Sequence, residues 1–153
     1  MTELERLYRA VKITESNDNP LAIRFEEHFM RRVNERDKAF VRARVHVYAF
    51  TDTIKSYLAF SVGRCQFLIY NLYFIDSIYD YLLKQNLMPV RIPLVVSDSV
   101  EFELFKLFIS ERMRFLYLKL LENVKLSEQD LRLFSKFWNG SEAYYNRLVR
   151  HLR

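Results

Sequence analysis

Apolar residues recur at spacings of three and four over most of this chain. The first set, Leu4, Leu7, Tyr8 and Val11, shares one helical face behind Thr2 and Glu5, which are spaced as a capping box. It predicts a short first helix that ends in the turn-rich run Thr14-Glu15-Ser16-Asn17-Asp18-Asn19-Pro20. Asn19 is placed to cap a second helix with Pro20 at its first position.

The helical stripe then continues through Ala22, Phe25, Phe29 and Val33, and through Phe40, Ala43, Val47, Phe50, Ile54 and Leu58. A third series runs Cys65, Leu68, Leu72, Ile75, Tyr79 and Leu82. One unbroken helix of that length would extend about 100 Å at 1.5 Å per residue, too long for a compact domain. A break is expected near Thr51-Asp52-Thr53, where a side-chain cap is available. One segment reads differently. Val41, Ala43, Val45, Val47 and Ala49 alternate with Arg42, Arg44, His46, Tyr48 and Phe50, the period of a strand. Such a strand would pair with Tyr57–Val62 and be joined by Val90–Val96.

Cys65 to Ile75 is apolar around its circumference apart from Gln66 and Asn71, as in a helix at the centre of a bundle. Pro89 and Pro93 mark a connector. Ser97-Asp98-Ser99 caps a helix carrying Phe102, Phe105, Phe108, Ile109, Met113, Leu116, Leu120 and Leu121. Ser127 with Asp130 is a further capping box, with Leu126 placed to staple against Leu131. That helix runs to Trp138 and stops at Asn139-Gly140. Ser141 then caps a last helix ending in Leu148, Val149 and Leu152.

These elements predict an all-α, single-domain bundle of five to six helices over residues 1–153, with one long Arg-rich helix. The alternative is an α+β fold with a small sheet from 41–50, 57–62 and 90–96. Composition favours long elements, since 2 Gly and 3 Pro leave little turn chemistry. An apolar content of 50% excludes a disordered chain. The most apolar stretch, Cys65 to Ile75, is 11 residues, against the ~20 of a membrane span, so no membrane segment is expected. With a single cysteine and no basic, apolar leader at Met1-Thr2-Glu3-Leu4-Glu5, the expected location is the cytoplasm.

The chemistry of catalysis is hard to assemble from these residues. His28, His46 and His151 are far apart, with no second ligand at a metal spacing. Cys65 lies in the most apolar run, where burial makes a thiol inert. Gly63 and Gly140 stand alone, so no phosphate-cradling loop is present. Two acid pairs, Glu101 with Glu103 and Asp76 with Asp80, are the candidates for Mg²⁺ in a nuclease, a reading that requires strands and an acidic cluster. The expectation is therefore a non-enzyme with no cofactor and no metal.

Charge gives a more definite lead. The chain carries 24 Lys+Arg against 19 Asp+Glu, for a net +5. Arg24, Arg31, Arg32, Arg36, Arg42 and Arg44, with Lys38, crowd one segment; on one helix, Arg24, Arg31, Lys38 and Arg42 would stack along a single flank and follow a phosphate backbone. The same segment carries Glu26, Glu27, Glu35 and Asp37, the pattern of an ordinary solvated face. A second patch, Arg132, Lys136, Arg147, Arg150 and Arg153, faces a single acid, Glu142. The two helices meeting at Asn139-Gly140-Ser141 are spaced as a helix-turn-helix that would present Tyr144, Tyr145, Asn146, Arg147 and Arg150. Tyr48, Tyr70, Tyr73 and Tyr81 are the aromatic residues expected to be more exposed.

The expected function is non-enzymatic nucleic-acid binding, as a packaging or assembly subunit of a nucleoprotein complex or as a small helix-turn-helix-like regulator. Arg24, Arg31, Arg32, Arg36, Arg42, Arg44, Arg147 and Arg150 are the contact residues. The alternative is a helical protein–protein adaptor that self-associates through its aromatic surplus. A protein partner or a homo-oligomer fits either reading.

Overall fold

Thr2 and Glu5 form the expected reciprocal cap and start helix α1 (Glu3–Ser16), which ends at Asn17 in the left-handed conformation. The computed structural model describes residues 1–45 and 51–153. Helix accounts for 64% of the structure, and a three-stranded sheet accompanies it.

The sequence from Pro20 onward does not continue as helix. Asn17 and Asp18 both take positive φ, and the Asn19 side chain accepts from the Leu21 N–H, closing a turn instead of capping a helix. The chain then extends as β1 (Ile23–Phe25), followed by a single helical turn, α2 (Glu27–Met30). Helix α3 (Glu35–Val45) takes up Val41–Val45, part of the stretch whose alternation suggested a strand; its remainder, 46–50, lies outside the described residues. Helix α4 (Thr51–Leu58) begins where the break is expected. The long Arg-rich helix is thus replaced by a strand and separate helices. Apolar spacing misled here because part of the stripe is not core: Phe25 faces solvent, as does its strand neighbour Ile23.

Strands β2 (Phe60–Val62) and β3 (Phe67–Leu68) form a hairpin, and β1 pairs antiparallel to β2 with Ile23 opposite Val62. The 57–62 segment therefore supplies a strand, whereas 90–96 is a non-strand connector. The hairpin turn uses Gly63 at φ +79° and Gln66 at φ +54°. The all-round apolar run is divided between this hairpin and helix α5 (Ile69–Phe74), after which comes α6 (Asp76–Lys84).

The hairpin turn is held by an acid from a distant helix. In α7 (Asp98–Arg112), capped by Ser97 as expected, Glu101 is fully buried and accepts from the Arg64 N–H at 2.7 Å and from the Arg64 guanidinium at 2.6 Å. A buried carboxylate must be paired in this way. The predicted helix through Leu121 is interrupted at buried Met113, with φ −138°, and resumes as α8 (Arg114–Leu121).

Helix α9 (Glu128–Trp138) carries the Ser127–Asp130 capping box, and α10 (Glu142–His151) is capped by Ser141. Glu3 accepts from the Leu126 N–H at 3.0 Å, and Glu15 accepts from Trp138 Nε1 at 2.9 Å. These bonds pin both ends of α9 to the two ends of α1, so the two helices run in the same direction. Gly140, at φ +85°, then reverses the chain. Helix α10 therefore runs antiparallel to both and packs on both. Its inward face, Tyr144, Tyr145, Leu148 and Leu152, meets Leu4, Leu7, Val11 and Phe134 in one buried core. No helix among the described residues is long and apolar enough to cross a membrane.

Candidate nucleic-acid interface

The eight arginines read from the sequence as contacts divide into groups. Arg44 is committed to the fold. Its guanidinium donates to the Tyr73 carbonyl at 2.8 Å and to Asp76 at 2.5 Å, and it lies 4.2 Å from the Phe40 ring centre and 4.4 Å from that of Tyr79. Such a clamp uses the planarity of Arg and leaves little of it for a phosphate. Arg42 is half-buried. Arg24 lies on β1, with Nε on Glu26 at 2.5 Å, and lines a cleft.

Arg31, Arg32 and Arg36 are exposed at the corner between α2 and α3. Arg31 sits 3.7 Å from Glu27, a weak exposed pair. Lys38, expected on the same flank, is instead buried and paired with Glu35. The flank of Arg24, Arg31, Lys38 and Arg42 does not form, because these residues belong to a strand, a turn and a helix in different orientations.

The C-terminal patch is the more coherent one. Along α10, Ala143, Asn146, Arg147 and Arg150 are exposed, and Arg153 follows just past the helix. Their spacing places them on one face, opposite the core side. The helix's one acid, Glu142, is engaged by Arg132, which also binds Glu128 at 2.9 Å. This face presents guanidinium groups and an amide with no carboxylate among them. Tyr144 and Tyr145, expected on it, are buried instead. They occupy the helix positions that face α1 and α9, and the ring of Tyr144 carries Arg147 at 5.7 Å.

A cleft of about 200 Å³ opens between β1, the hairpin, α5 and the end of α9. Phe29, Phe108 and Trp138 line one part of it, and Glu15, Arg24 and Asn71 are among its polar residues. The side chain of Glu15 is only 5% exposed. Burial raises its carboxyl above the ordinary range, against the pull of the Trp138 N–H, Arg24, Tyr144 and Arg147. Sequence reading passed over this acid because it falls in the turn-rich run expected to end α1, with no partner nearby in the chain, whereas the helix continues through it to Ser16.

No family model, no curated protein and no solved structure matches this chain.

Three of the four acids considered for Mg²⁺ are used elsewhere, and the fourth, Asp80, is exposed. Glu101 is turned inward to Arg64, Glu103 pairs with Lys106, and Asp76 pairs with Arg44. Among the described residues, no three His, Cys, Asp or Glu side chains group as a metal site. Cys65 is fully buried, and burial pushes its thiol well above the ordinary value. Of the tyrosines expected to be exposed, Tyr70 and Tyr81 are half-buried, and Tyr48 lies outside the described residues. Tyr73 is fully buried, its hydroxyl 2.7 Å from that of Tyr57 and accepting from the Val90 N–H at 3.1 Å.

Proposed function

We propose that this protein binds nucleic acid without catalysis, as a small helix-turn-helix-like regulator that sets the outer face of α10 against a duplex. The supporting observation is that face: Asn146, Arg147 and Arg150, continued by Arg153, exposed together with no free acid. In a helix-turn-helix, residues near the start of the second helix reach base edges while the first helix crosses the backbone. Asn146 is of the type that pairs with adenine and Arg147 of the type that pairs with guanine. Helix α9 adds the exposed Lys136 as a candidate phosphate contact, while Arg132 is held by Glu128 and Glu142.

The test is binding to labelled duplex and single-stranded DNA and RNA across a salt series. On this reading log K falls linearly with log salt, by about 0.9 for each phosphate neutralised on duplex DNA. Duplex should bind more tightly than either single strand. Absence of binding to all forms at low salt would remove the reading.

A second reading, a self-associating adaptor, has its own support. Phe115, Leu118 and Leu121 on the outer face of α8, with Val124 just beyond, are 44%, 51%, 58% and 44% exposed. Side chains of this size rarely stand together in water without a partner. A dimer that is insensitive to salt and is dispersed by Leu118→Glu in sedimentation velocity supports this reading. An unchanged monomer in both proteins counts against it.

A further inference from the structure

The cleft at the end of α9 has a composition that the packing of the fold does not explain. Glu15 is withdrawn from water, yet it is short of donors. One oxygen accepts from Trp138 Nε1 at 2.9 Å; the other has Arg24 as its nearest cation, at 3.8 Å, beyond hydrogen-bond reach. The buried Tyr144 hydroxyl lies beside it: burial, and after it the Glu15 charge, raises the pKa of that hydroxyl, which in turn helps to hold the Glu15 carboxylate. Glu15 is thus left incompletely satisfied at the wall of an open space. Such a group costs stability unless something completes it.

We infer that this cleft is a binding site for a guanine base. Its two sides match the two sides of that base. The rings of Phe29, Phe108 and Trp138 offer apolar surface for a planar ring. Trp138 is itself held firmly, stacked on Phe134 at 5.4 Å and edge-on to Phe108 at 5.0 Å, so the wall is preformed. On the polar side, the free oxygen of Glu15 is an acceptor for the adjacent N1–H and amino donors of guanine. The terminal nitrogens of Arg24, whose Nε is already taken by Glu26, suit guanine O6 and N7.

Charge and size point the same way. The cleft pairs carboxylates with a guanidinium, so a neutral ligand with both donors and acceptors fits better than an ion of either sign. Adenine and cytosine each offer one exocyclic amine without a neighbouring ring N–H donor, and uracil has no amine. At about 200 Å³ the cleft falls below the roughly 300–1,000 Å³ of sites for drug-sized ligands, which restricts the occupant to one small ring system. The base can come from a free nucleotide or from an unpaired position in a strand; the recognition chemistry is the same. This site does not depend on the α10 face.

Trp138 is the chain's one tryptophan, so the cleft carries its own reporter. Tryptophan fluorescence would be followed while GMP, AMP, CMP and UMP are added separately. A saturable quench by GMP at concentrations about tenfold or more below the others is expected, the size of effect that one or two charge-assisted hydrogen bonds supply. Glu15→Gln keeps an oxygen for Trp138 but turns the other acceptor into a donor, and should weaken GMP by about tenfold while affecting AMP little. If that variant loses its native circular dichroism, Arg24→Gln carries the same expectation, since it removes the partner of O6 and N7. Equal quenching by all four nucleotides, or none by any, overturns the proposal, as does a natively folded Glu15→Gln or Arg24→Gln that binds GMP like the parent. A second arm compares oligonucleotides with one unpaired guanine or adenine. Quenching by GMP alone assigns the site to a free nucleotide, and quenching by the guanine strand as well assigns it to an unpaired base. Loss of duplex binding with the GMP titration intact would remove the α10 reading and leave this one standing.

Discussion

Gly63 shows how a single position can be decided from two directions. Its φ of +79° favours glycine, and a Cβ there would run into the Glu101 carboxylate that receives the Arg64 N–H. Both effects act against any side chain. Gly63→Ala is expected to cost about 2–4 kcal/mol, combining backbone strain with a disturbed buried pair. A urea titration of both proteins measures it, and a midpoint unchanged by the substitution would contradict the account. Glu101 itself cannot be replaced without a similar penalty. Burial raises its pKa while Arg64 pulls it down, and removing either partner leaves the other poorly compensated.

Among the elements, α9 is the best specified by local chemistry. The Ser127 hydroxyl accepts from the Asp130 N–H at 3.1 Å, and Asp130 accepts from the Ser127 N–H at 3.0 Å. Ser127→Ala should lower stability by about 1 kcal/mol, read as a fall in thermal midpoint. Asp130 adds a pH dependence. Burial alone would raise its pKa, but Lys119 at 2.7 Å and the Ser127 donors overcome this and hold it below the ordinary 3.8. A carboxylate with a lowered folded value contributes stability that is fully present above its ordinary value. That contribution is lost as pH falls through the lower, folded one. Denaturation midpoints across the acid range should therefore fall less steeply for Asp130→Asn than for the parent. Equal slopes would mean that the Lys119 contact is not maintained in solution.

Taken as one body, the protein carries its net charge of +5 unevenly, with a corner at Arg31, Arg32 and Arg36 and a strip along α10. The corner is interspersed with Glu27, Glu35 and Asp37, whereas the strip has no free acid. Like charges attract a polyanion most where no opposite charge offsets them. Arg147→Glu with Arg150→Glu should accordingly reduce the salt slope of duplex binding by about 2, and Arg32→Glu with Arg36→Glu by less. The reverse order would move the interface to the α2–α3 corner.

Much of the helical outline was legible along the chain. Thr2, Ser97, Ser127 and Ser141 all cap the helices expected of them, and Asn139-Gly140 ends α9, because a cap is a contract between residues three or four apart. Apolar periodicity also picked out Leu4, Leu7, Tyr8 and Val11 as one buried face. It failed where the strands form, at Ile23–Phe25, Phe60–Val62 and Phe67–Leu68, although Val33, Ile54 and Leu58 of the same stripe are buried. There, spacing alone does not tell a buried face from an exposed one, and Ile23 and Phe25 turn outward while pairing through their backbone with a strand nearly forty residues on. The burial of Glu101, the clamp on Arg44 and the meeting of Glu15 with Arg24 and Trp138 were likewise invisible in the sequence. Each joins residues from distant segments, and no local pattern records which segments will meet. Local order here follows from short-range hydrogen bonding and composition. Which arginines stay free, and which acids are shut away from water, follows from how the helices and the small sheet close on one another.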